Sequence, residues 1–391
     1  MKTKEGRPSI WSTGLAMFAM FFGAGNVVFP LTLGQSALDK NFWGILGMAV
    51  TAVIVPLAGL FAMLLYGGNY NEFFKKVGRV PGFILIALIV ALIGPFAGVP
   101  RCITISFATF SAFGHVPGIN LITFSLINAA LIFLFTIKPS RVLNLIGKYL
   151  TPVLLLSLGA IVVRGLFGMP HADHALLTRW ETFSKGFLEG YNSMDLLATF
   201  FFSSVVLLCL RNPKQKGEET TDQRRKMMKV AGIGGLISSV LLMSIYVSFS
   251  YLAASYSTSL GGVQGHEMLG ALANRLLGPY AGLFVGVAVF FACLTTEIAL
   301  AVVASRFISE TVSRGKISYP VALGGVLFVS FLVSTLNFTG IATMLTPVLQ
   351  LCYPALIVLA VANILHKTFA FKPVKLAFYG TLLATLMLKF F

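Results

Sequence analysis

The sequence predicts an all-α polytopic membrane protein of about eleven transmembrane helices, with spans one and six broken. Three observations predict it. The 391 residues are 57% hydrophobic and only 11% charged, against about 25% charged in a soluble domain. Apolar runs of 18 or more residues recur between short polar loops, which is the pattern of helices that cross a bilayer. Two of these runs are interrupted by glycine, amide and acidic residues.

The spans lie at about 11–36, 43–66, 82–113, 119–137, 142–166, 187–210, 229–255, 279–306, 318–337, 340–366 and 373–391. No soluble domain is visible, so residues 1–391 read as one membrane domain. Lys2, Lys4 and Arg7 before the first run resemble the flank of a secretory leader. That run continues to Gln35, too far for a leader's apolar core, and reads as a retained helix. With the N-terminus inside, inner segments hold 21 Lys and Arg residues and outer ones hold 6. Cytoplasmic loops concentrate these residues, so the N-terminus is expected to be cytoplasmic. The net charge of +16 is scattered among loops and does not imply a nucleic-acid partner. The lipid bilayer is the partner implied. Cys102, Cys209, Cys293 and Cys352 all fall in apolar runs without metal spacing, and read as buried thiols.

Span one contains Phe22-Gly23-Ala24-Gly25-Asn26-Val27-Val28-Phe29-Pro30. Lipid satisfies no bare backbone group, so a mid-membrane break survives only under protein or along a cavity. Gly23 and Gly25 leave helical geometry cheaply. Freed N–H groups suit a carboxylate, and freed carbonyls suit an ammonium or Na+. Asn26 adds an amide. The plainer reading is a close helix crossing on small residues. Span six carries Gly190-Tyr191-Asn192-Ser193-Met194-Asp195. An in-span acid is a functional candidate by default; Ser193 or Asp195 also suits an N-cap. Spans one and six open two groups of five, and an odd number inverts the second copy. This gives repeat one at 11–166, repeat two at 187–366 and an extra helix at 373–391.

Span eight holds Ala292-Cys293-Leu294-Thr295-Thr296-Glu297. The two hydroxyls offer hard oxygen donors, or bond back to their own helix. Glu297 sits about 100° around the helix from Thr296, so the two cannot share one target. Glu297 pairs with a basic residue or takes up a proton. Arg101 follows Gly94-Pro95 and Pro100 in span three. It neutralises Glu297 or Asp195, lines a pathway, or snorkels to the interface. His171 and His174 lack a framework for metal. Gln264–Leu277 reads as a short amphipathic helix, a lid or a surface element.

At these residues the chain resembles the branched-chain amino acid:cation symporter family of bacteria. The motifs are Phe22 to Pro30, Gly94-Pro95 with Pro100-Arg101, Gly190-Tyr191 with Met194-Asp195, and Ala292-Cys293-Leu294. The resemblance implies a five-plus-five, leucine-transporter-type architecture in the bacterial inner membrane. It implies uptake of leucine, isoleucine and valine coupled to Na+, with H+ as the alternative. Substrate is expected at Gly23, Ala24, Gly25, Asn26, Tyr191, Asn192, Ser193, Met194 and Asp195, with its side chain against Met194 and Phe200. By position, Na+ would meet the carbonyls of Ala19, Phe22 and Ala292 and the hydroxyls of Thr295 and Thr296. Arg101 and Glu297 are left for coupling or gating. The chain departs from the family in having eleven spans where twelve are usual. It also departs at Glu297, where a small neutral residue is expected. Methionine or another neutral amino acid is the alternative substrate. A membrane enzyme would need a nucleophile–histidine set that the spans lack. A channel would need polar stripes along several helices.

Overall fold

A computed structural model describes residues 9–112, 119–137, 151–210 and 221–390. Expectations for Lys2, Lys4, Arg7, His115, Lys138, Arg141, Lys148, Arg211, Lys214, Lys216 and the start of span five lie outside the described residues. The described residues are helical, with no strand among them. Among the described residues six helical stretches are long and apolar enough to cross a membrane, and shorter apolar helices accompany them.

Span one is two helices, α1 (Ile10–Phe21) and α2 (Ala24–Ala37). The Ser9 hydroxyl caps α1 by accepting the Ser12 N–H at 3.1 Å. Gly23 between the helices is extended, at φ −118° and ψ −161°. At 1.5 Å per residue the halves rise about 18 and 21 Å, enough together for a hydrocarbon core of about 30 Å. The break therefore falls near mid-depth.

Leu38, at φ 48°, turns the chain into span two. This span is α3 (Asn41–Ala49), a π-helical turn at Val50–Ile54 and α4 (Val55–Leu65). The short α5 (Tyr70–Phe74) leads to span three. There α6 (Arg79–Ala91) and α7 (Gly98–Ser111) flank a second π-helical turn, Leu92–Phe96. Gly94 leaves helical geometry beside Pro95, so span three is a third interrupted span. This kink puts Arg101 in the first turn of α7, bonded through its N–H to the Ala97 carbonyl at 2.9 Å. Spans four and five are α8 (Leu121–Thr136) and α9 (Thr151–Leu166).

Span six is α10 (Arg179–Asn192) and α11 (Asp195–Leu210). It begins at Arg179 rather than near residue 187. A Thr178–Glu181 capping box starts it. Glu181, Lys185 and Glu189 depress hydropathy there, while Thr182, Gly186 and Gly190 one position on are buried. Met194 at the break sits at φ 62°, a conformation unfavourable for a residue with a Cβ. The remaining helices are α12 (Thr221–Ser255), α13 (Met268–Arg306), α14 (Tyr319–Ser334), α15 (Asn337–Phe369) and α16 (Val374–Phe390).

The short helix expected at Gln264–Leu277 runs from Met268 to Gly278, where non-helical backbone (φ 77°, ψ 172°) divides α13 into two helices. Its apolar face (Met268, Leu269, Leu272, Ala273) is buried. Cys102 and Cys293 are buried, whereas Cys209 is exposed. A membrane helix has an outward apolar face, so an apolar run does not guarantee burial.

Both halves of span one pack on α12; α3 packs on α10, and α4 on α11. Separately, α7, α9 and α14 pack on α13. Small residues bring backbones together in the first group. A Cβ on Gly186 would lie 1.9 Å from the Gly44 carbonyl oxygen, and one on Gly34 would lie 2.0 Å from that of Ser250. Gly324 has open space around it. Gly186→Ala is therefore expected to destabilise the protein by about 1–3 kcal/mol, and Gly324→Ala to be neutral or stabilising. Thermal unfolding in detergent checks both.

Candidate functional site

The two breaks touch. A Cβ on Gly25 would lie 3.0 Å from both the Cα and the carbonyl oxygen of Ser193. Glycine is needed there because the broken backbones of spans one and six approach that closely.

Asn26 holds the contact together. Its Oδ1 accepts the Gly23 N–H at 3.0 Å, capping α2 across the break. Its Nδ2 donates to Asp195 Oδ1 at 3.1 Å and Oδ2 at 2.9 Å, and to Tyr246 Oη. Tyr246 Oη donates to Asp195 Oδ2 at 2.9 Å. Asn26, Asp195 and Tyr246 are 2%, 3% and 1% exposed. Asp195 is the first residue of α11 and its carboxylate joins the polar cluster, while Ser193 Oγ accepts the Asp195 N–H at 3.4 Å and serves as the cap. Tyr246 lies mid-way along α12, where no glycine or acid in the sequence marks a site.

A cavity opens around this cluster. Gly23, Ala24, Gly25 and Asn26 line it from span one, and Ser193, Met194 and Asp195 from span six. Met20, Phe21, Ile93, Ala198, Phe202 and Leu300 supply an apolar wall. Asp195 also borders a second cavity of about 290 Å³, lined by Leu57, Leu60 and Gly235 among others.

Three expected residues stand back from the main cavity. Tyr191 stacks on Tyr353, with centroids 4.6 Å apart. Asn192 donates to Glu189 and accepts from Thr346. Phe200 packs against Phe73 and Phe74, and Phe202 takes its place on the wall. The half-turn between Phe200 and Phe202 depends on where α11 starts, which sequence locates only loosely.

Arg101 lines the cavity and is 2% exposed. It does not snorkel, because the span-three kink turns it inward. Its guanidinium lies 4.8 Å from the Phe29 ring and 5.0 Å from the Phe338 ring. His266 stacks on Phe338, and burial pushes its imidazole below its ordinary value.

Span eight faces the free end of α1. Thr295 Oγ1 donates to the carbonyls of Ala292 at 2.7 Å and Ala19 at 3.2 Å. Thr296 Oγ1 lies 3.3–3.4 Å from the carbonyls of Ala19, Met20, Phe22 and Ala292. One hydroxyl proton cannot serve four acceptors. The cluster is rich in oxygen and short of donors, which suits a hard cation. Ala19, Phe22, Ala292, Thr295 and Thr296 are all brought together.

Glu297 points elsewhere, as its helical offset requires. It is fully buried, and Asn128 Nδ2 donates to its two oxygens at 3.1 and 3.0 Å. Asn128 is an amide inside the apolar α8, a signal passed over in the sequence. Among the described residues no group of three His, Cys, Asp or Glu side chains suits a metal ion.

Facing breaks around a cavity, inside a bundle of apolar helices, define a secondary transporter of a small molecule. The chain belongs to the branched-chain amino acid transport protein family, whose model matches residues 7–390. It is 32% identical to the branched-chain amino acid permease BrnQ of Bacillus subtilis, covering 100% of this chain and 88% of that one. It is 31% identical to the permease BraB of the same organism, covering 91% and 80%. The fold is shared with Mhp1, a nucleobase-cation-symport-1 family transporter solved closed with bromovinylhydantoin bound. That match has a TM-score of 0.67 at 14% identity over 99% of this chain and 94% of Mhp1. A Na+-coupled sialic acid symporter superposes with a TM-score of 0.57 at 11% identity, covering 97% and 89%. The protein is thus a multi-pass transporter of leucine-transporter-type fold rather than an enzyme.

Removing the Asn26 amide leaves Asp195 buried with fewer donors. Asn26→Ala is expected to lower stability by about 1–3 kcal/mol, with Tyr246→Phe towards the lower end. Thermal unfolding measures the loss, and ligand binding by the same samples should fall with it.

Proposed function

We propose that this chain imports leucine, isoleucine and valine by alternating access, with Na+ as the co-transported ion and H+ as the alternative. The observation that carries this reading is the contact of the two broken spans around a cavity with a polar end and an apolar wall. The substrate carboxylate meets N–H groups at the start of α2. Its ammonium meets carbonyls at the breaks, beside Asp195. Its aliphatic side chain rests on Met20, Met194 and Phe202. Family membership and the permease names of the Bacillus relatives support the substrate class.

Na+ sits among the oxygens of Ala19, Phe22, Ala292, Thr295 and Thr296. It ties α1 to α13, which belong to different packing groups. Spans one, two, six and seven then move against the rest, within repeats at 11–166 and 187–366. The N-terminus lies on the cytoplasmic side of the inner membrane, as the loop charges imply.

Leucine uptake into proteoliposomes, with Na+ and H+ gradients imposed independently, tests the reading. Saturable uptake driven by inward Na+ is expected, and no uptake under either gradient would sink it. Thr296→Val removes one oxygen and should raise the half-saturating Na+ concentration about tenfold, equal to about 1.4 kcal/mol.

A further inference from the structure

We infer that Arg101 is the charged anchor of the substrate's carboxylate, and so sets selectivity for ligands that carry one. The inference rests on the amino-acid reading above and adds to the backbone N–H groups a side chain that this reading does not use.

Arg101 is 98% buried, being only 2% exposed, and lines the cavity beside Gly98 and Cys102. Its Nη1 donates to the Asn192 carbonyl at 3.0 Å, one of the carbonyls set free where α10 ends. Its Nε and Nη2 are buried and have no hydrogen-bond partner. These two nitrogens carry the N–H groups along one side of the guanidinium. That side is the one whose paired, parallel donors match the two oxygens of a carboxylate. A buried guanidinium with its bidentate edge unmet is costly unless a ligand completes it.

The Phe29 and Phe338 rings lie 4.8 and 5.0 Å from the guanidinium carbon with their centroids 6.1 Å apart, so both sit on one side of it. Phe29 belongs to α2, the helix whose N-terminus borders the same cavity. Arg101 and Ala24, Gly25 and Asn26 at the start of α2 line the same cavity, so a carboxylate held by Arg101 shares it with the α2 N–H groups. Asp195, an acid on the same cavity, remains for the ammonium. The two ends of a zwitterion so meet groups of opposite charge. Arg101 also links the ligand to the end of α10 through Asn192, and to the start of α15 through Phe338.

The test compares leucine with leucinamide, which keeps the ammonium and the side chain but lacks the carboxylate. Binding of each is measured by equilibrium dialysis, in saturating Na+, on the full chain in detergent. The natural protein should prefer leucine strongly. Arg101→Gln should weaken leucine by about 100-fold or more and leucinamide by less than about tenfold, so that the preference collapses. Arg101→Lys keeps the charge without the paired edge and should fall between; it also carries the test if Arg101→Gln is unstable. A preference for leucine that survives in these variants overturns the assignment, because a residue needed only for structure weakens both ligands alike. Failure of the natural protein to bind leucine overturns the amino-acid reading itself.

Discussion

Asn26 is the residue on which the two broken spans depend. Its carbonyl oxygen closes the gap in span one through Gly23, and its amino group reaches the acid at the gap in span six. One planar group thus serves both sides of the contact. In lipid the alternative is bare backbone and an unpaired acid, each costing several kcal/mol. The close approach of Gly25 to Ser193 and the left-handed Met194 both follow from holding the breaks in register.

The second organising feature is a division of labour among oxygen atoms. At the end of α1 the carbonyls and the Thr295 and Thr296 hydroxyls form a patch without fixed charge. One residue on, Glu297 carries a full carboxyl group but faces Asn128 on α8. Helical geometry enforces the separation, since neighbouring residues point about 100° apart. The acid therefore joins spans four and eight, while the neutral oxygens join spans one and eight.

Much of this was legible in the sequence because lipid imposes strict rules. Spans one and six showed their breaks as Gly23, Gly25, Asn26 and Asp195, and these residues do converge. Arg101 and Glu297 stood out for the same reason, being charges in apolar runs. Their partners were harder to see. Tyr246 and Asn128 are single polar groups in otherwise regular helices, and only tertiary packing gives them a role. The start of span six is hidden in the sequence because Glu181, Lys185 and Glu189 lower its hydropathy. The inward turn of Arg101 depends on the backbone at Gly94, which composition does not specify.

Chain order bears on how the buried acids reach their places. Asn26 precedes Asp195 by 169 residues, and Asn128 precedes Glu297 by 169. Synthesis is vectorial, so each amide is made long before its acid. An acidic side chain at the centre of an inserting helix costs about 2.5–3.5 kcal/mol. For both acids a hydrogen-bond donor already waits in an earlier span when the ribosome delivers them. Tyr246, the second donor to Asp195, follows it by 51 residues, so Asn26 and Asn128 are the donors in place in advance.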